Sequence, residues 1–321
     1  LGFNIKNRKK LKMMDEKTGY YNNAKGGTEL MRERILSHLD TTGVQIICSR
    51  LRELEEGKKK IFWAHDYFTD PENQFLQDPE IVKQIDKFVF VSHQQFTTYN
   101  VAFGIPYNKS VVIENCIDPI EGVESNPTDE IKLIYHTTPH RGLEILVPVF
   151  EKLCETHKNI TLDVYSSFNI YGWGERDAVY EPVFDRCRNH PKINYHGTVS
   201  NAEVREALKK AHIFAFPSIW PETSCLAAIE AMSAECLVVC PDLAALSETV
   251  GMYGLTYRFD EDHNKHANKF YYALDYAIRG VENKHEDIEA RLKLAKNRVN
   301  MKYNTARSIV LWNNLLNELK S

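Results

Sequence analysis

The chain has 321 residues, 43% hydrophobic and 26% charged, which are ordinary shares for a globular protein with room for two domains. A net charge of -4 argues against a nucleic-acid binder, and no apolar run approaches the ~20 residues of a membrane span. The seven cysteines form no Cys-x-x-Cys pair and no zinc-site spacing with histidine, so no structural metal is expected. They lie mostly in apolar stretches, as reduced core thiols of a cytoplasmic protein do. The opening "LGFNIKNRKKLKMM" has basic residues but no apolar run behind them, unlike a secretory signal.

In residues 1–30 the sole candidate strand is "LKMM". Next, "AKGGTELMRERIL" places Gly26 and Gly27 before an amphipathic helix. That is either an ordinary turn or a loop whose amides approach a ligand closely. Four apolar runs read as strands: "VQIIC" (44–48), "KIFWAH" (60–65), "KFVFVS" (87–92) and "SVVIEN" (110–115). "DPIEGVESNPTDE" (118–130) has Pro, Gly and acidic residues without apolar period, and marks a boundary. Six more strand candidates follow: "IKLIYH" (131–136), "ITLDVYS" (160–166), "INYHG" (193–197), "HIFAFPS" (212–218), "CLVVCP" (236–241) and "GLTYRF" (254–259). Helix-period segments such as "GLEILVPVFEKLCETH" and "SNAEVREALKKA" separate them, the second opened by Ser200 or Asn201 with Glu203 in its first turn. Strands this apolar, alternating with helices, form parallel sheets covered on both faces. Ten strands exceed one comfortable sheet. The expectation is an α/β protein of two doubly wound, Rossmann-like domains at 1–121 and 122–303, with the helix over 304–321 completing the first.

The segment "HIFAFPSIWPETSCLAAIEAM" (212–232) carries the strongest chemical signal. A strand ends at Ser218, a loop holds Glu222, and a helix begins near Thr223 or Ser224. Ligands of open parallel sheets bind beyond the carboxyl ends of the strands, where helix N-termini offer free N–H groups. A phosphate there would lie on the amides near Ser224, Cys225 and Leu226, beside the Thr223 and Ser224 hydroxyls. Glu230, two turns into that helix, needs donors for a buried carboxylate: a ribose diol, or a nearby Lys or Arg. Glu222 either serves the ligand or complements the helix dipole.

The stretch resembles the Glu-x7-Glu signature of retaining glycosyltransferases of GT-B fold, family 4 in particular. Further pieces match in order over about residues 20 to 260: the Gly26–Gly27 loop, "IFWAHDYF" with His65, "VFVSHQQF" with Ser92, "VVIENCIDP" with Asn115 and Asp118, "IYHTTPHRGLEIL" with Arg141 and Gly142, and "INYHGTVSNAEVREAL". The resemblance implies two Rossmann-like domains around a central cleft, the first for the acceptor and the second for the donor. It implies sugar transfer from a nucleoside diphosphate, such as a UDP- or GDP-sugar, to an acceptor hydroxyl with retained anomeric configuration. No metal and no other cofactor are implied. By the same resemblance Glu222 holds sugar hydroxyls, Glu230 the ribose diol, and Arg141 the diphosphate beside Gly142. The Gly26–Gly27 loop faces the phosphates, His65 contacts donor sugar or acceptor, and Tyr195, Gly197 and Thr198 lie near the base. The Ser166–Ser167 pair stands where many relatives carry glycines.

Departures accompany the match. Glu235 and Ala245 stand where glycine is usual, Leu237 where proline is, and "HTTPHRG" carries one cation fewer than a Gly-Arg pattern. The first domain is short, so the acceptor is not inherited from the family. Basic clusters "NRKKLK" and "GKKK" read as solvated surface or, less favoured, as contacts to an anionic membrane. Trp63, Trp173 and Trp220 either stack on sugars or pack in cores. Two other functions stay open: a nucleotide-sugar epimerase, and a non-catalytic sugar-nucleotide binding protein.

Overall fold

A computed structural model describes residues 26–123 and 128–321. "LKMM" and "NRKKLK" lie outside the described residues. The described residues divide into two compact units, one of residues 26–115, 170–172 and 305–321, the other of residues 116–123, 128–169 and 173–304.

Among the described residues the first unit comprises α1 (Gly27–Leu36), β1 (Val44–Cys48), β2 (Lys59–Trp63), α2 (Pro79–Gln84), β3 (Lys87–Phe90), α3 (His93–Phe103) and β4 (Ser110–Val112). The strands form one parallel sheet in the order β1-β2-β3-β4, with Ile46 opposite Ile61 and Phe62 opposite Phe88. Local chemistry sets the helix ends. Asp78 accepts from the Glu80 amide ahead of Pro79, and Ser92 Oγ accepts from the Gln95 amide at 3.0 Å. Gly104, at φ 66°, closes α3. Phe62, Phe88, Phe90 and Tyr99 are buried in its core. The C-terminal helix (Thr305–Lys320) belongs to this unit: Trp312 meets Trp63 edge-on at 4.8 Å, and Lys320 Nζ pairs with Asp40 at 2.9 Å.

The second unit runs β5 (Ile131–Tyr135), α4 (Leu143–Leu153), β6 (Ile160–Val164), α5 (Glu181–Asn189), β7 (Ile193–Tyr195), α6 (Asn201–Leu208), β8 (Ile213–Ala215), α7 (Leu226–Ser233), β9 (Leu237–Pro241), α8 (Leu246–Val250), β10 (Leu255–Tyr257), α9 (His263–Glu282) and α10 (Glu286–Lys302). Its strands form a parallel sheet in the order β10-β9-β8-β5-β6-β7. The apolar runs make it: every residue of β8 and β9 is buried, as strands covered on both faces must be. α4 presents Leu143, Leu146, Val147, Phe150 and Leu153 to the same core. The α/β expectation holds: both sheets are parallel and Rossmann-like, and all ten strand candidates contain strands. Among the described residues no helix is long and apolar enough to cross a membrane.

Two local expectations need correction. Helix α7 begins at Leu226, with Cys225 as its N-cap, so Thr223 and Ser224 remain on the loop. Glu230 is therefore its fifth residue, little more than one turn in. Ala245, which stands where glycine is usual, lies just ahead of α8 as its N-cap at φ -76°, and its neighbour Ala244 is left-handed at φ 49°. Glu235 does occupy the left-handed region, at φ 59°, where Lys296 Nζ donates to its carboxylate at 2.8 Å. A β-carbon there costs roughly 1–2 kcal/mol, which glycine avoids at the expense of a more flexible unfolded chain. Ala244→Gly should therefore stabilise the second unit by about 0.5–1 kcal/mol, read from its urea unfolding midpoint. Glu235→Gly should gain less, because the Lys296 contact goes with the side chain.

Candidate active site

In the second sheet β5 lies between β6 and β8, so successive connections leave it in opposite directions. Ligands of open parallel sheets bind beyond the carboxyl ends of the strands at such a switch point. The loop after β5 is a tight turn over Pro139–Arg141 ending at Gly142. Gly142 sits at φ 111°, and a β-carbon there would overlap the Pro217 carbonyl oxygen at the end of β8. The two loops thus touch backbone to backbone, which brings Arg141 to Glu222. Arg141 Nη1 donates to Glu222 Oε1 in a short ion pair. Glu222 is 5% exposed. Burial pushes its carboxyl above the ordinary glutamate value, and the Arg141 guanidinium works against that rise. The Ala245 amide donates to the Glu222 carbonyl at 3.0 Å, and Tyr135 Oη donates to the Thr138 carbonyl at 2.9 Å.

Glu230 is 4% exposed and has donors within the protein. Asn201 Nδ2 reaches its two oxygens at 3.1 and 3.3 Å, and Arg205 Nη1 reaches Oε1 at 3.2 Å. Both donors stand one turn apart on α6, whose start is fixed by a Ser200–Glu203 capping box. Arg205 Nη2 also donates to the carbonyls of Asp118 (2.8 Å) and Pro119 (3.2 Å). Of the two readings left open for Glu230, the intramolecular arginine is the one seen here. Cys225 caps α7 without a side-chain hydrogen bond.

Gly197, at φ 65°, and Thr198 follow β7, separated from β8 by β5 and β6. There Tyr195 Oη donates to the Ser166 carbonyl at 2.9 Å. Ser167 Oγ bonds the Asp177 carboxylate, which also accepts from the Phe168 amide at 2.7 Å.

The first unit holds the remaining candidates. Gly26 is the N-cap of α1 and Gly27 its first residue. A β-carbon on Gly26 would collide with the Tyr171 ring. His65 follows β2, buried, with its ring 4.5 Å from Trp63. Its amide donates to Ser49 Oγ at 2.8 Å. Ser49 holds a left-handed φ of 59° at the end of β1 to make that contact. Asn115 is buried, and Ser92 is occupied as the α3 N-cap.

Burial pushes His65, His136 and His140 down to about 3, with a further push from Arg32 on His65 and from Arg141 and Arg176 on His140. All three are uncharged in the fold at neutral pH. The unfolded chain, titrating near 6.5, takes up protons first as pH falls. Their contribution to stability is complete above about pH 6.5 and declines toward pH 3, by up to about 1.4 kcal/mol per pH unit for each. Urea midpoints should fall between pH 7 and pH 5, and His136→Phe should flatten that fall.

A profile of the family described as "Glycosyl transferases group 1" matches residues 121–299. The chain belongs to that family. The fold agrees. A glycosyltransferase from Rickettsia africae superposes with a TM-score of 0.70 at 16% identity, covering 92% of this chain and 81% of that one. Anabaena HepE, solved with UDP-glucose, gives 0.61 at 14% identity, covering 82% and 72%. The pneumococcal O-GlcNAc transferase GtfA, solved with UDP and GlcNAc, gives 0.62 at 13% identity over 81% of this chain and about half, 52%, of its own. No curated protein matches the sequence. Both Rossmann-like sets of the chain thus match those of GT-B glycosyltransferases.

Within this family member, sequence reasoning overlooked Asn201 and Arg205 as the partners of Glu230, Ser49 as the brace of His65, and His140. The four-residue spacing of Asn201 and Arg205 was the one available sign of a shared helix face.

Proposed function

We propose that the chain transfers a sugar from a nucleoside diphosphate to an acceptor hydroxyl with retention, its second unit holding the donor. The observation that carries this reading is the ion pair between half-buried Arg141 and buried Glu222 at the switch point of the second sheet. A guanidinium there is fixed by a carboxylate before any ligand arrives. It can neutralise the charge that the diphosphate gains as the glycosidic bond breaks. Glu222 accepts hydrogen bonds from the sugar hydroxyls, and the first-turn amides of α7 face the phosphates alongside Thr223 and Ser224. Glu230 serves as the ribose contact by exchanging the neutral Asn201 amide for a ribose hydroxyl while Arg205 keeps its charge compensated. Gly197 and Thr198 border the base, and Gly26, Gly27 and His65 are the first unit's own candidates for ligand contact. With arginine and amides as the electrophilic groups, the reaction needs no metal ion.

In the proposed step the anomeric carbon–oxygen bond breaks and the leaving diphosphate takes the acceptor proton. The acceptor oxygen bonds the same face of the sugar. The test is NMR of the anomeric proton during turnover, with UDP-glucose, UDP-N-acetylglucosamine and GDP-mannose as donors. UDP-sugars come first, because HepE and GtfA were solved with UDP ligands. A product with the donor's own anomeric configuration is expected. An inverted product overturns retention, and an epimerised nucleotide sugar formed without acceptor replaces the reading with an epimerase.

A further inference from the structure

Of the three tryptophans considered for sugar contact, the structure leaves one suited to it. Trp63 is 2% exposed against Trp312, and the Trp173 ring is covered by the Arg176 guanidinium at 4.2 Å. Trp220 is 45% exposed and stands two residues before Glu222. Its backbone is held at both ends. The Trp220 amide donates to Ser218 Oγ at 3.2 Å, and that hydroxyl donates to the Trp220 carbonyl at 3.0 Å. Ser218 is fully buried, and Pro221 restricts the next φ. The indole is held as well. His140 meets it edge-on, with centroids 4.8 Å apart and an interplanar angle of 84°. His140 in turn stacks on Phe168 at 5.1 Å and 17°, and Phe168 packs on Tyr180 at 5.7 Å. An uncharged imidazole suits this packing, and burial keeps His140 uncharged at neutral pH. Its Nδ1 is buried without a hydrogen-bond partner, so the ring is positioned by its aromatic neighbours.

An ordered, half-exposed indole two residues from a buried carboxylate that is paired with a guanidinium offers apolar and polar groups together. A pyranose is amphipathic in the same way, with hydroxyls around its rim and polarised C–H groups on its face. The negative face of an indole attracts such C–H groups, and the ring brings apolar area at little cost in side-chain entropy. We propose that Trp220 is a stacking platform for a pyranose ring and a determinant of sugar selectivity, with His140 as its positioning residue. This rests on the donor site proposed above. The pyranose is that of the donor or that of the acceptor, and the two are separable by experiment.

The test is calorimetric titration of the full chain with UDP-glucose, UDP-N-acetylglucosamine and GDP-mannose, each against UDP or GDP alone. Glucose and N-acetylglucosamine are then titrated into the UDP-saturated protein. Trp220→Ala should weaken the nucleotide sugar about five- to tenfold and leave the bare nucleotide within about twofold. Trp220→Phe should recover most of the loss. His140→Ala should show part of the same loss, and His140→Phe, which restores an aromatic edge, should not. A loss confined to the free monosaccharides supports the platform and assigns it to the acceptor. An equal loss for nucleotide and nucleotide sugar means a base stacks there, and overturns the proposal. No loss toward any sugar overturns it while the donor site stands. Wild-type protein that binds no nucleotide or nucleotide sugar overturns the donor site, and the platform with it.

Discussion

Glu222→Gln should lower sugar transfer by about 10²–10³-fold, the usual effect of removing one group from an electrostatically preorganised site. The substitution also strips Arg141 of its counter-charge, in a place where Glu222 is 5% exposed. Breaking one partner of a fully buried pair costs about 3–5 kcal/mol, and less here because the Arg141 side chain is 22% exposed, but a fall in activity alone would still not separate chemistry from folding. The double substitution Arg141→Met with Glu222→Leu does separate them. Apolar replacement of both partners is commonly neutral for stability, so its urea midpoint should return toward wild type. Its activity should stay lost. Recovery of both would reduce the ion pair to a structural role and remove Glu222 from the site.

Gly142→Ala should be the most damaging substitution without a charge change. Two effects add. A φ of 111° costs a side-chain-bearing residue roughly 1–2 kcal/mol, and the new β-carbon must displace the Pro217 backbone, for roughly 1–3 more. The sum, about 2–5 kcal/mol, should lower the melting temperature of the second unit by about 4–20 °C in calorimetry. Gly197→Ala is the control: its φ of 65° is also left-handed, but nothing lies within 4 Å of the added carbon. It should cost only about 1–2 kcal/mol. If the two variants melted alike, the contact between the β5 and β8 loops would carry no weight.

The fold class was readable because β-structure buried on both faces leaves a plain trace. Runs such as "VQIIC" and "CLVVCP" have no alternation to confuse with an exposed strand, and each contains a strand. The apolar runs outlast the ladders, however. Of "HIFAFPS" only Ile213–Ala215 is strand; Phe216 still donates its amide to the Val239 carbonyl at 2.9 Å, and Pro217 and Ser218 then lead into the Glu222 loop. The start of α7 was misplaced for a related reason. Thr223 and Ser224 are common N-cap residues, yet the loop continues to Cys225. What the sequence could not show is tertiary pairing. Arg205 and Glu230 are 25 residues apart, and neither residue type announces the other. Ser49 and Ala244 carry left-handed backbone without glycine, so the usual marker of such a turn is missing.

The bond from the Ala245 amide to the Glu222 carbonyl has a kinetic consequence. Arg141 holds the carboxylate of Glu222 and Ala245 holds its backbone, so the residue is fastened from two different loops. Freeing it means breaking both contacts in one opening event. The Ala245 amide should then be among the slowly exchanging hydrogens of the second unit although it belongs to a loop, and Arg141→Ala should speed its exchange with deuterium.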